Sequence, residues 1–183
     1  MPRRVRCAVA LLSIVAAPVL AQTPAPASPR LGRPITAAAA VQADPAVFPD
    51  GRGLPAGRGT AIDGRRVYDR RCASCHGADG SGGNSVRLVG RAPLTASPWP
   101  DKTVGQYWPF ATTVFDYVRR AMPFERPGSL TDDEVYAVTA YLLFANGIVA
   151  ERDEMSASTL PAVRMPNREG FIRLDRTSAA IGP

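Results

Sequence analysis

Apolar residues recur at helical spacing in three stretches, set apart by runs rich in Gly and Pro. The first predicts a helix over 64–73, with Tyr68 and Cys72 four and eight residues beyond Gly64 on one face. The second predicts a helix from about Phe110 to Arg120. It places Val114, Phe115 and Val118 inward and stops before Pro123. The third has clear punctuation at both ends. Thr131-Asp132-Asp133-Glu134 reads as a capping box, and Asn146-Gly147 as a stop. Between them Val135, Val138, Tyr141, Leu142 and Ala145 form an apolar stripe.

The joining segments read as irregular. Gly77 to Gly83 is a glycine-rich loop, and Pro93, Pro98 and Pro100 break any period in the middle of the chain. Beyond Gly147 a Met165-Pro166-Asn167 turn is expected, with Phe171, Ile172 and Leu174 as docking residues. No segment carries a strand signal, so the expectation is a small all-α domain.

The N-terminus has a different pattern. Arg3, Arg4 and Arg6 precede a nearly continuous apolar run from Cys7 to Leu20, and Val19-Leu20-Ala21 has the small-x-small form of a cleavage site. The run is too short for a membrane span and Cys7 follows no lipobox, which predicts an export signal over 1–21. An uncleaved anchor is the alternative. Residues 22–60, rich in Pro, Ala and Gly, read as a linker or arm whose apolar anchor is Ala46-Val47-Phe48. The expected organisation is then signal 1–21, arm 22–60, helical domain 61–147 and C-terminal extension 148–183.

Charge changes this picture little. The formal +6 falls to about +3 without the three leader arginines, so basicity gives no case for nucleic acid. Cysteine and histidine change it more. Cys72-Ala73-Ser74-Cys75-His76 is a C-x-x-C-H run, read as covalent attachment of one c-type haem. Two thiols add to haem vinyl groups and the next residue offers its imidazole to the iron. A zinc site would need four ligands, yet the chain has one histidine and only Cys7 besides. A disulfide over so short a span would be strained and would leave His76 unexplained. Export agrees with the haem, since bacterial c-type attachment takes place outside the inner membrane.

The second axial ligand follows partly by elimination. A second histidine is lacking, and Cys7 would leave with the leader. Met122, Met155, Met165, Lys102, the new N-terminal amine and an open position remain. Met122 is best placed, after an amphipathic helix and before Pro123, and Met/His ligation raises the haem potential. Met165, which also precedes a proline, is second.

Taken together, these residues resemble class I c-type cytochromes. Gly64, Tyr68 and Cys72 match that family's N-terminal helix, Tyr141 the aromatic of its C-terminal helix, and Met122-Pro123 its axial methionine loop. The resemblance covers about residues 61–147 and implies the class I cytochrome c fold, here with extended N- and C-terminal arms. It also implies haem ligation by His76 and Met122 and attachment through Cys72 and Cys75. There is one departure. Many members carry a proline two residues before the Leu of an L-x-G segment, and its carbonyl orients the axial histidine. Here Val86 precedes Leu88-Val89-Gly90, which leaves the imidazole's partner open.

A narrower likeness is carried by Tyr107 to Thr113, Phe115 to Pro123 and Met165 to Phe171. These stretches are similar to the cytochrome c subunit of bacterial sulfite or sulfane dehydrogenases. In those sulfur-oxidising systems a molybdenum subunit performs the chemistry. The resemblance implies a periplasmic single-haem electron acceptor with a molybdenum-containing dehydrogenase partner and a downstream cytochrome or oxidase, not an enzyme itself. A freely diffusing carrier serving several dehydrogenases is the alternative, and a haem enzyme with an open iron site a third. Further candidates are Trp99 or Trp108 and Arg87 or Arg91 for the haem propionates. Arg119 and Arg120 are candidates for a docking face, with a solvated helix end as the competing reading.

Overall fold

The computed structural model describes residues 32–37, 39 and 46–171. The expected leader 1–21, most of the arm, and Ile172 and Leu174 lie outside them. Residues 32–36, in the first of two units, are exposed and without regular structure. The second unit holds the domain.

From residue 46 onward its described helices are α1 (Ala61–Arg71), α2 (Ala73–His76), α3 (Ala111–Ala121) and α4 (Asp132–Ala145), with 3-10 turns at Leu94–Ala96 and Leu160–Ala162. Helix α1 begins three residues before the sequence reading. Thr60 is its N-cap, with its side-chain oxygen accepting from the Asp63 N–H at 3.4 Å. The two later helices begin and end within a residue of expectation. In α4 the capping box closes in both directions. Thr131 Oγ1 accepts from the Glu134 N–H at 3.2 Å, and a Glu134 carboxylate oxygen accepts from the Thr131 N–H at 3.0 Å.

Helix α4 is the centre of the core. Every residue from Val135 to Leu143 is buried, so the expected stripe is in fact a fully enclosed helix. It packs at two glycines, one in α1 and one just before it. A Cβ at Gly64 would collide with the Ala137 carbonyl, and one at Gly59 would come within 2.5 Å of the Ala137 Cα. Only glycine permits that approach. On the other flank Phe115 of α3 meets Tyr136 with ring centroids 4.4 Å apart.

The core reaches beyond residues 61–147. Val47, Met155, Leu160 and Met165 are all buried in it. The Val47 N–H donates to Asp116 of α3 at 3.1 Å, and the Tyr136 hydroxyl donates to the Pro55 carbonyl at 2.9 Å. Arm and tail also meet in a two-stranded antiparallel ladder absent from the sequence reading. It joins β1 (Arg58–Gly59) to β2 (Met155–Ser156), with Gly59 opposite Met155. Each strand is two residues long, too short for any period to show. Among the described residues no helix is long and apolar enough to cross a membrane.

Candidate haem site

Cys72 breaks the helix between α1 and α2, with φ −123°, and its N–H closes onto the Tyr68 carbonyl at 2.8 Å. One turn later α2 carries Cys75 and His76. Both cysteines are free thiols, Cys72 half-buried and Cys75 exposed. The two sulfurs therefore start from different environments. Burial pushes the Cys72 thiol up to about 11, with the neighbouring Cys75 adding to the shift.

His76 is 8% exposed, and its Nδ1 lies 2.8 Å from the Val86 carbonyl oxygen. A carbonyl can only accept, so Nδ1 carries the proton and Nε2 keeps its lone pair for a metal. This answers the question that the missing proline left open. Val86 supplies the same backbone oxygen that a proline would, because the acceptor is the carbonyl and not the side chain.

That carbonyl belongs to a loop folded tightly over α2. The Gly82 N–H donates to the His76 carbonyl at 3.0 Å, and the Ser85 N–H to the Cys75 carbonyl at 2.9 Å. The Leu88 and Val89 N–H groups both donate to the Gly80 carbonyl, at 2.8 and 2.9 Å. Beneath it, the buried Tyr68 hydroxyl donates to the Gly77 carbonyl at 2.8 Å.

Met122 caps α3 and is half-buried at the edge of the core, in a cis peptide bond to Pro123. Met155 and Met165 are 4% and 3% exposed and packed within the core. Lys102 sits over the Tyr107 ring at 5.1 Å. Of these side chains, only Met122 combines a soft donor atom with a position on the core's margin.

A family model described as cytochrome c oxidase, cbb3-type, subunit III matches residues 59–142. A chain in the crystal structure of the sulfane dehydrogenase SoxCD from Paracoccus pantotrophus is 39% identical, with a TM-score of 0.72. The alignment covers 83% of this chain and 75% of that one. The chain belongs to the cytochrome c family. Its helical architecture is the class I cytochrome c fold. The thiosulfate dehydrogenase of Allochromatium vinosum is 31% identical over 84 residues, 45% of this cytochrome. Here the cytochrome spans 30% of the relative's length. Both relatives are, by name, dehydrogenases of sulfur compounds.

Family membership implies haem c, and the donors present fit it. Two free thiols flank one turn, and an imidazole with its Nδ1 proton engaged leaves Nε2 available.

The secondary candidates have partners of their own. Arg119 pairs with Asp132 at 3.1 Å and Arg120 with Asp116, so both brace α3 rather than forming an open basic face. The Arg87 Nε donates to the Ser81 carbonyl at 2.9 Å, and its guanidinium lies 3.5 Å from Asp101. Trp99 is 91% exposed, whereas Trp108 lies in an aromatic row with Tyr107 and Tyr117 at 6.4 and 5.6 Å. Phe171 extends that row, 5.3 Å from Tyr107, as the expected docking of the tail required. The sequence singled out Val86 only as the departure from a proline, and Asn146 only as part of a helix stop. A backbone acceptor leaves no side-chain signature, and only the likeness to related cytochromes pointed near it.

Proposed function

We propose that the chain is a periplasmic single-haem cytochrome that accepts electrons singly from a molybdenum-dependent sulfite or sulfane dehydrogenase subunit and passes them to the respiratory chain. Cys72 and Cys75 attach the haem, and His76 and Met122 hold its iron. The observation that carries this reading is the His76–Val86 bond within the C-x-x-C-H turn, on a chain 39% identical to one in SoxCD. The haem supplies one-electron exchange between Fe(III) and Fe(II). The protein holds Nε2 of the imidazole at a set angle, presents a soft thioether, and keeps water from the core side through Tyr68, Leu88 and Trp108.

The competing reading is a diffusing carrier. Extended arms would argue for a fixed partner, but the described parts of arm and tail serve the fold itself through Val47, Met155 and Met165. The likeness to SoxCD therefore carries more of the case for a fixed partner than the arms do. The test is purification from the native host, followed by assay for bound molybdenum and for haem reduction by sulfite or a sulfane-sulfur donor. The proposal expects a co-purifying molybdenum subunit and rapid reduction. A lone monomer that no such substrate reduces, even with co-expressed subunits, would contradict it.

A further inference from the structure

At the end of α4 one buried amide spans three backbone groups. Asn146, the helix C-cap, is 9% exposed. Its Nδ2 donates to the Leu142 carbonyl at 2.8 Å and to the Leu88 carbonyl at 3.2 Å, while its Oδ1 accepts from the Gly90 N–H at 3.2 Å. Two acceptors on one side and a donor on the other fix the orientation of the amide. A flip would set N–H against N–H. Gly105 lies close against this side chain, where a Cβ would come within 2.9 Å of Oδ1.

The segment Asn146 holds leads straight back to Val86. The Leu88 carbonyl also accepts from the Val104 N–H at 2.9 Å, and the Gly90 carbonyl accepts from Thr103 Oγ1 at 3.2 Å. With Leu88 and Val89 already tied to Gly80, residues 88–90 are held on both edges. Two residues upstream, the Val86 side chain is 71% exposed and contributes little packing. Its carbonyl is therefore placed by backbone anchors on both sides, the Ser85 N–H on the Cys75 carbonyl upstream and the bonds of residues 88–90 downstream.

Resting on the reading that His76 holds the iron, we infer that Asn146, seconded by Thr103, is a positioning residue for the axial histidine. It anchors Leu88–Gly90 so that the Val86 carbonyl keeps its bond to Nδ1–H, and so sets the donor strength of the imidazole. The sign of the effect separates this role from simple structural support. A hydrogen-bonded imidazole is the more basic ligand and favours the oxidised iron, so weakening the bond raises the reduction potential. Loosening that merely admits water favours the more highly charged oxidised haem and lowers the potential.

The test compares holoprotein of the wild type, Asn146→Leu, which keeps side-chain volume without hydrogen bonds, and Thr103→Val, which removes one hydroxyl. Midpoint potentials would be measured by spectroelectrochemistry, and exchange of the His76 Nδ1 proton by NMR on the reduced protein. The inference expects a raised potential and faster exchange in both variants, larger in Asn146→Leu. An unchanged or lowered potential with histidine ligation intact would overturn it. Should Asn146→Leu fail to assemble, Thr103→Val decides alone by the same criteria. A wild-type spectrum without a nitrogen ligand to iron would instead overturn the ligation by His76, a distinct result.

Discussion

The two flanks of the candidate haem site are built differently. On the His76 flank, residues far apart in sequence are tied together: His76 to Val86, Leu88 to Val104, Gly90 to Asn146. On the Met122 flank the backbone bonds along the loop to Thr131 are local. Met122 N–H reaches Val118, Arg126 reaches Pro123, and Ser129 reaches Arg126. The ion pair of Arg119 with Asp132 closes the base of that loop between α3 and α4. The difference teaches that the imidazole is held by the fold, whereas the thioether is held by the helix before it and by the Arg119–Asp132 bridge behind it. Local openings draw on segments with few long-range contacts, so the sulfur should release before the nitrogen.

The largest expected effect falls on the anchored flank. Gly64→Val sets a branched side chain against the Ala137 carbonyl and should cost about 3 kcal/mol, at the upper end of overpacking effects, by denaturant unfolding. It should also reduce haem incorporation, because α1 leads directly into Cys72. Wild-type stability in Gly64→Val would mean that the α1–α4 contact does not anchor this flank.

A smaller effect of about 1 kcal/mol is expected for Thr131→Ala, which removes the α4 cap where the Met122 loop ends. Arg119→Met should cost less, within about 1 kcal/mol for a partly exposed pair. It should nevertheless raise the fraction of protein that has lost its sulfur ligand on warming, followed by absorption. An Arg119→Met protein that releases the histidine first would reverse the comparison.

Alkali probes the core shared by both flanks. Burial holds the Tyr136 phenol up at about 12 and raises Tyr68 and Tyr141 as well. Unfolded phenols ionise near pH 10. The raised native values therefore contribute stability that is fully present below pH 10 and is lost as the pH climbs towards about 12. Tyr136→Phe should shallow that loss, as read by chemical unfolding at several alkaline pH values.

How much of this was legible in the sequence depends on where the signal resides. The ends of α3 and α4 were, because Pro123, Thr131–Glu134 and Gly147 act locally. The start of α1 was misjudged by three residues, although Thr60 and Asp63 formed a cap signal in plain sight. The full burial of α4 was hidden because its outer face is covered by arm and tail, through contacts of long sequence separation. The cysteines, His76 and Met122 stood out as candidates by residue type and spacing. The position of the Val86 carbonyl was reached only through the likeness to related cytochromes, and the amide of Asn146 not at all, since its role arises only when the chain brings 86–90 against residues 103–105 and 146.

The most direct test of the account is the absorption spectrum of the oxidised holoprotein beside those of Met122→Ala and Met165→Ala. The account predicts a methionine-sulfur-to-iron charge-transfer band in the wild type that persists in Met165→Ala and vanishes in Met122→Ala. A high-spin wild type, or a band that survives in Met122→Ala, would contradict it.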